Sequence, residues 1–375
     1  MTGPGADRTT TPADDHQGTA LFAELARSVV ALAAREQLRS FALPYPRSAQ
    51  RVLDRMVLYC LDRGWAPPRS VPEVMAWCAE HTAGGPLFQV PAEFLSPEAR
   101  LIDPVGRLPS RICLELASHG PQGQVEQEAV DLLTDLAARC GSAERYSRCR
   151  RFLADRPVIG QRDPFSDGSH WNPALWKRVK DLYEPVPEYL LSSRVLALCG
   201  TCGLPGLSFG RRAAGPGTWC ESEHCPPGVH FRLIRDPGRT LLLRRSLRIF
   251  LCLPGPTEFA ALAELSRAGI GHDLVPAALG AHFVHTLAAA PYLLRTYDRL
   301  EPALLASRIT NTPVDATADT LVVVPRRQAD RPGYRSAFAT ALDDDCRRRT
   351  MLTTPDELVR QIGILHSSRK GNAHA

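Results

Sequence analysis

The sequence predicts an α+β chain in three parts: a helical N-terminal region, a small cysteine-stapled ribbon and a C-terminal α/β domain. Three observations carry this. Apolar residues recur at helical spacing through the first half, four cysteines gather as two close pairs between residues 199 and 225, and beyond about residue 238 short apolar runs alternate with amphipathic ones. A length of 375 residues suits two or three domains, and 44% hydrophobic residues suffice to bury their cores. The expected boundaries are a disordered leader over 1–18, a mostly helical domain over 19–185, the ribbon over 186–235, the α/β domain over 236–365 and a tail over 366–375.

The elements follow in order. "TALFAELARSVVALAAREQL" has a helical apolar stripe with Thr19 placed to cap it. "RSAQRVLDRMVLYCLDRG" is a second amphipathic run, closed by Gly64. "SVPEVMAWCAEH" opens on Ser70, with Pro72 and Glu73 as first-turn residues. "QVEQEAVDLLTDLAARCG" and "AERYSRCRRFLADRP" are further helices, the last stopped by Pro157. After residue 238, "RTLLLRRSLRIFLCL" is apolar enough for one or two strands, and "GPTEFAALAELSRAG" is a helix with Pro256 and Glu258 in its first turn and Gly269 at its end. "AHFVHTLAA" and "PYLLRTYD" read as a strand pair, "EPALLASRI" as a helix and "DTLVVVP" as a buried strand. "YRSAFATALDDDCRR" and "TPDELVRQIGIL" complete the domain as helices, the second with Thr354 and Glu357 in capping-box order.

The cysteines carry the most specific chemistry. Cys199 and Cys202 form C-x2-C, and Cys220 and Cys225 form C-x4-C seventeen residues later. Two thiolate pairs on two short turns close a tetrahedron around one structural zinc ion, with Gly203 supplying a tight turn and Trp219 packing beside the site. His224 and His230 are the substitutes should Cys225 not serve. The other seven cysteines, Cys60, Cys78, Cys113, Cys140, Cys149, Cys252 and Cys346, lie on apolar stretches and read as core residues.

The formal charge of +5 permits a polyanionic partner without requiring one. Of the 45 basic residues only Lys177, Lys180 and Lys370 are lysine. Arg211 and Arg212 in the cysteine loop, with Arg235, Arg239, Arg244, Arg245 and Arg248 after it, form a phosphate-binding patch if they share a face, and are otherwise scattered surface charge. "WNPALWKRVK" interleaves cations with tryptophan, as a nucleic-acid stripe or as a helix with a buried aromatic face. No apolar run reaches the roughly 18 residues a membrane span needs, no secretory signal is visible, and a cytoplasmic protein is expected. Phosphate-loop, dinucleotide-binding and nucleophile-elbow motifs are absent from the sequence.

The segments "YEPVPEYL", "LPGPTEFAALAELSRAG", "EPALLASRI" and "TLVVVPRRQADRPGYRSAF" occur in an order and spacing that resembles the restriction-endonuclease-like proteins of prokaryotic PIWI three-gene defence islands (pPIWI-RE). The resemblance covers roughly residues 185–345, and more loosely the helical first half. It implies a restriction-endonuclease-like fold for the C-terminal domain, a zinc ribbon, a PIWI-like protein and a helicase as co-encoded partners, and DNA or an RNA–DNA hybrid as target. It also implies an aspartate on a first strand and a D-x-K on the next, holding Mg²⁺ for hydrolysis. This sequence departs from that pattern: Ala281, His282 and Phe283 stand where Y-D-L falls, and Arg295, Thr296 and Tyr297 where D-x-K falls. None of the three lysines has an acid two places upstream, since Leu175, Arg178 and Ser368 hold those positions.

Glu258, Asp298 and Glu301, with Asp273, are therefore the candidates for a relocated metal site. Each has a plainer reading: Glu258 as a helix first-turn acid, Asp298 and Glu301 as turn and N-cap residues, Asp273 as a loop acid. His282 and His285, three apart on a strand, face opposite sides and make no metal pair. The expectation is a nuclease fold without its catalytic acids, working through nucleic-acid or protein contacts; the alternative is a zinc-stabilised protein adaptor with no nucleic-acid role.

Overall fold

The computed structural model describes residues 12–104, 107–119, 123, 125–160, 173–207, 219–225, 230–276, 278–286, 291–311 and 318–372. The chain divides into two compact units between Ala117 and Ser118.

The first unit is helical: α1 (Pro12–Ala34), α2 (Gln37–Ser40), α3 (Arg47–Asp62), α4 (Val71–Glu80) and α5 (Arg111–Ala117). The α1 stripe Leu21, Phe22, Leu25, Ala26, Val29 and Leu32 is buried, and Phe22 meets Phe88 edge-on at 4.9 Å between ring centroids. The helix starts at Pro12, so Thr19 lies inside it and is not its cap. Pro12 suits a first turn, and Gly18 is tolerated within the helix because a Cβ there would stand 2.0 Å from the Phe88 carbonyl oxygen. Ser70 caps α4 as the sequence indicates, its hydroxyl accepting from the Glu73 N–H at 3.3 Å. Gly64 follows α3 with φ 69°.

The second unit begins with α6 (Val125–Cys140) and α7 (Ala143–Asp155), so the division falls inside the segment read as one helical domain. The reason is ionic. Glu126 of α6 is buried against Arg299 at 2.8 Å and Arg308 at 3.1 Å, and Arg150 of α7 is buried against Glu258. Next come β1 (Val158–Gly160), α8 (Pro173–Lys180), β2 (Tyr183–Pro185), β3 (Leu191–Ser192), β4 (Val195–Cys199), β5 (Pro205–Leu207), β6 (Trp219–Cys220), β7 (Phe231–Arg235) and β8 (Thr240–Leu243). Strands β1 and β2 flank β8 in a three-stranded antiparallel sheet, while β3–β7 form the ribbon sheet.

Only the first part of "RTLLLRRSLRIFLCL" is a strand. After β8 the chain turns helical through α9 (Arg245–Leu247) and a π-turn over Arg248–Cys252. Leu247 and residues 249–253 are all buried, so the apolar run carries no period by which to tell strand from helix.

The remaining elements are α10 (Gly255–Arg267), β9 (Gly271–Leu274), β10 (Ala281–His285), β11 (Tyr292–Thr296), α11 (Pro302–Thr310), β12 (Thr320–Val323), α12 (Arg326–Ala329), α13 (Tyr334–Ala341), α14 (Asp344–Arg349), β13 (Thr350–Thr353) and α15 (Leu358–Asn372). The five strands run β13-β12-β11-β10-β9, antiparallel from β9 to β11 and parallel from β11 to β13. Alternation sorts the sheet's two cores. Leu321 and Val323 pack with Ala261, Leu265, Leu358 and Ile362, whereas Val322 and Val324 pack with Leu305, Ile309, Tyr334 and Phe338. Helices α13 and α14 are separate because Asp343 caps the second, accepting from the Cys346 N–H at 2.7 Å. The Thr354–Glu357 capping box does not form: Thr354 donates to Asp356 at 2.7 Å and Glu357 pairs with Arg335 at 2.9 Å. Six of the seven scattered cysteines are buried and Cys346 is half-buried. No helix among the described residues is long and apolar enough to cross a membrane.

Candidate metal centre and the buried acid–arginine nodes

Two turns assemble the cysteine quartet. Cys199 ends β4, and the chain reverses at once: Gly203 donates to the Cys199 carbonyl at 2.9 Å and Cys199 to that of Leu204 at 2.9 Å. Gly203 sits at φ 73°, where a side chain would be strained. Cys220 ends β6 opposite Gly206, and Glu223 closes the second turn onto the Cys220 carbonyl at 2.7 Å. All four sulfurs lie within 4.8 Å of one another. Cys202–Cys220 is 3.4 Å and Cys220–Cys225 is 3.9 Å. These bracket the ~3.8 Å edge of a sulfur tetrahedron around an ion ~2.3 Å from each ligand, so the residues present fit a structural metal site. His224 and His230 are outside the quartet, because Cys225 serves.

Hydrogen bonds to Cys202 and Cys225, then burial, hold the Cys220 thiol far above its ordinary range. The same bonds from Cys202 and Cys220 pull Cys225 down to about 2. The metal-free quartet therefore keeps protons that an incoming cation must release.

Glu221, next to Cys220, turns the expected phosphate patch into an internal anchor. Its buried carboxylate takes the Arg248 Nε at 2.7 Å, the Arg248 Nη2 at 2.9 Å and the Arg245 Nε at 3.0 Å. Arg248 is 1% exposed, and it also donates to the Leu243 carbonyl. Burial opposes the Glu221 charge, but Arg248 and Arg245 outweigh it and hold the carboxyl below the usual range. Arg248 is thus buried inside the fold, and Arg245, with its side chain 19% exposed, is turned towards the same carboxylate. Arg244 is half-exposed, 3.8 Å from Glu128, and Arg211 and Arg212 lie outside the described residues. Arg248→Ala should cost about 3–5 kcal/mol by stranding Glu221, and Arg244→Ala no more than about 1 kcal/mol. Denaturant unfolding of the two variants measures the difference.

The proposed acids do not converge. Glu258, in the first turn of α10, is 1% exposed, with each oxygen on one Arg150 terminal nitrogen at 2.6 Å. The His282 Nε2 adds a third contact to Oε1 at 2.8 Å. Burial opposes its charge, but Arg150 and the His282 hydrogen bond prevail and lower its pKa to about 2. Asp298 is buried against Arg327 and Gln328. Glu301 holds the N-cap position of α11 without a side-chain cap bond. Asp273 is exposed and meets His285 at 2.8 Å. Among the described residues, the cysteine quartet is the only group of three or more His, Cys, Asp and Glu side chains close enough to share a metal; a relocated carboxylate site is not formed. His282 and His285 do face apart, one buried and one exposed. Arg150 was invisible in the sequence, 108 residues from the acid it neutralises.

Residues 21–160 match the family described as "pPIWI_RE three-gene island domain Y". The match takes in 140 of the 375 residues, from α1 to β1. It falls on the half whose resemblance was the looser, and not on the anchors over 185–345. No curated protein and no solved structure matches the chain.

Proposed function

We propose that this chain is a zinc-stapled, non-nucleolytic component of a prokaryotic PIWI-type defence island. It works beside a PIWI-like protein and a helicase and contacts the invading nucleic acid without cutting it. The match over residues 21–160 supports a defence-associated component with co-encoded partners. Sulfur-only donors in a closed tetrahedral set favour zinc over oxygen-seeking ions, and the metal's part is to staple a glycine-rich segment.

The restriction-endonuclease-like reading of the α/β domain is supported by order. β10 and β11 are adjacent antiparallel strands, and α11 follows directly, as the resemblance requires of the aspartate strand, the D-x-K strand and the helix after it. The observation that carries the loss of catalysis is the Arg150–Glu258 pair. Bidentate contact occupies both carboxylate oxygens. A divalent ion ~4 Å from that guanidinium would meet about 8 kcal/mol of repulsion at an effective dielectric near 20. At the positions of the family's acids stand His282, bonded to Glu258, and Arg295, buried with its guanidinium 5.3 Å over the Tyr297 ring.

Supercoiled plasmid incubated with the metal-loaded protein and Mg²⁺ or Mn²⁺ should stay intact. Cleavage that disappears in a folded Glu258→Gln variant would overturn the reading. The adaptor alternative gains from the pairing of Arg245 and Arg248 with Glu221, which draws two arginines away from the patch first expected to hold phosphates.

A further inference from the structure

Arg245 and Arg248 are engaged by Glu221, and a second cationic surface lies elsewhere. Over residues 143–156 and 173–181, setting aside Arg150 and its Glu258 partner, the chain carries seven cations against three acids. That surplus is nearly the whole formal charge of +5. Two of the three lysines in the chain fall here, on α8.

The two helices meet through aromatic rings. Phe152 of α7 and Trp176 of α8 stack edge-on, 5.8 Å between centroids, both half-buried. On α7 the exposed Arg145 and Arg148 stand seven and four residues before Phe152, in one helical column, and the exposed Arg156 caps the helix just beyond. On α8, Lys180 stands one turn beyond Trp176 at i+4, and the exposed Lys177 follows it in the chain, about 100° further round the helix. Cations therefore border the aromatic pair from both helices. The acids within this face do little to cancel it: Glu144 pairs with Arg148 and Asp155 with Arg151, but every partner is about half-exposed or more, where such pairs are weak.

We propose that this α7–α8 face binds single-stranded nucleic acid, with backbone phosphates on Arg145, Arg148, Lys177 and Lys180 and a base against Trp176. A strip of cations bordering a half-exposed aromatic is the arrangement that holds a single strand without reading its sequence, since every base has a face to stack. A duplex hides its bases and offers only the phosphates. The proposal rests on the defence-component reading and names its contact surface.

The test is fluorescence anisotropy of a labelled 20-mer oligothymidylate and of a duplex of equal length, titrated with the metal-loaded full chain at several salt concentrations. No divalent ion is added, so contact is read whether or not the protein cuts DNA, and failure here leaves the plasmid result standing. The single strand should bind more tightly than the duplex and quench tryptophan emission. Affinity should fall with salt, and the log–log slope should shrink by about one for each contacting residue removed. Lys177→Ala/Lys180→Ala and Arg145→Ala/Arg148→Ala should each weaken binding at least tenfold, with Arg194→Ala, 86% exposed on the ribbon, unchanged. Absence of binding at low salt, equal loss in the Arg194 control, or displacement by polyglutamate as effective as by unlabelled oligonucleotide would overturn the proposal, the last in favour of an acidic protein partner.

Discussion

Removing the metal from the cysteine quartet should unfold the ribbon and leave the first helical unit intact. Structural zinc contributes about 10–16 kcal/mol to the folding of isolated finger peptides near neutral pH. The ribbon sheet is built from strands of two to five residues, and Cys199 and Cys220 terminate two of them. Cys202→Ser or Cys220→Ser should therefore abolish binding of one metal per chain. Amide exchange should then quicken over Val195–Leu207 and Phe231–Arg235. The pH dependence has a fixed sign. The free quartet holds protons on Cys202 and Cys220: the Cys220 contact lowers Cys202, but its Cys225 contact and burial outweigh it, and Cys220 is raised by both sulfur contacts and burial, so affinity drops as pH falls. A chelator should strip the site faster at pH 6 than at pH 8. Metal-free chain with undiminished protection in the ribbon would contradict the whole assignment.

The second large effect belongs to Arg150 and Glu258. Breaking a buried pair from one side leaves a stranded charge and costs about 3–5 kcal/mol, whereas replacing both partners by apolar residues is often neutral. Arg150→Met and Glu258→Gln should each lower the unfolding midpoint strongly, and Arg150→Met/Glu258→Met should recover much of the loss. The acid limb gives an independent check. The folded Glu258 pKa, about 2, lies below its ordinary value of 4.5, so its stabilisation is complete above the unfolded value and fades as pH falls from about 5 to 2. Glu258→Gln should flatten that part of the stability profile relative to the unaltered protein. Single and double variants that all lose less than about 1 kcal/mol would mean that the pair is solvated, and the argument against a catalytic cation there would lose its basis.

Helices with a single apolar stripe were legible from spacing, as α3, α4, α6 and α7 illustrate, because one buried face imposes a 3.6-residue period. The strand pair β10–β11, helix α11 and strand β12 were legible from apolar runs cut by turn residues. What failed were segments buried on every side, such as 245–253, and the three-residue strands β1 and β2, whose register is supplied by β8. Helix α1 ran past its expected start because Gly18 permits contact with a carbonyl seventy residues away, which no local signal reports.

The metal site and the arginines make the opposite pair of cases. Four sulfurs on two short turns have few places to go, so their convergence followed from the sequence itself: local chain geometry holds each pair, and one β5–β6 contact brings the pairs together. That no lysine has an acid two places upstream could be read from the sequence in the same way. The use of each charged side chain could not. Glu258, Arg245 and Arg248 carry the same charge whether they face solvent, phosphate or one another, and only the fold decided that they neutralise partners inside it. Burying a charge is costly unless an opposite charge is brought within hydrogen-bonding distance, and that distance is a property of packing between segments 24 to 108 residues apart.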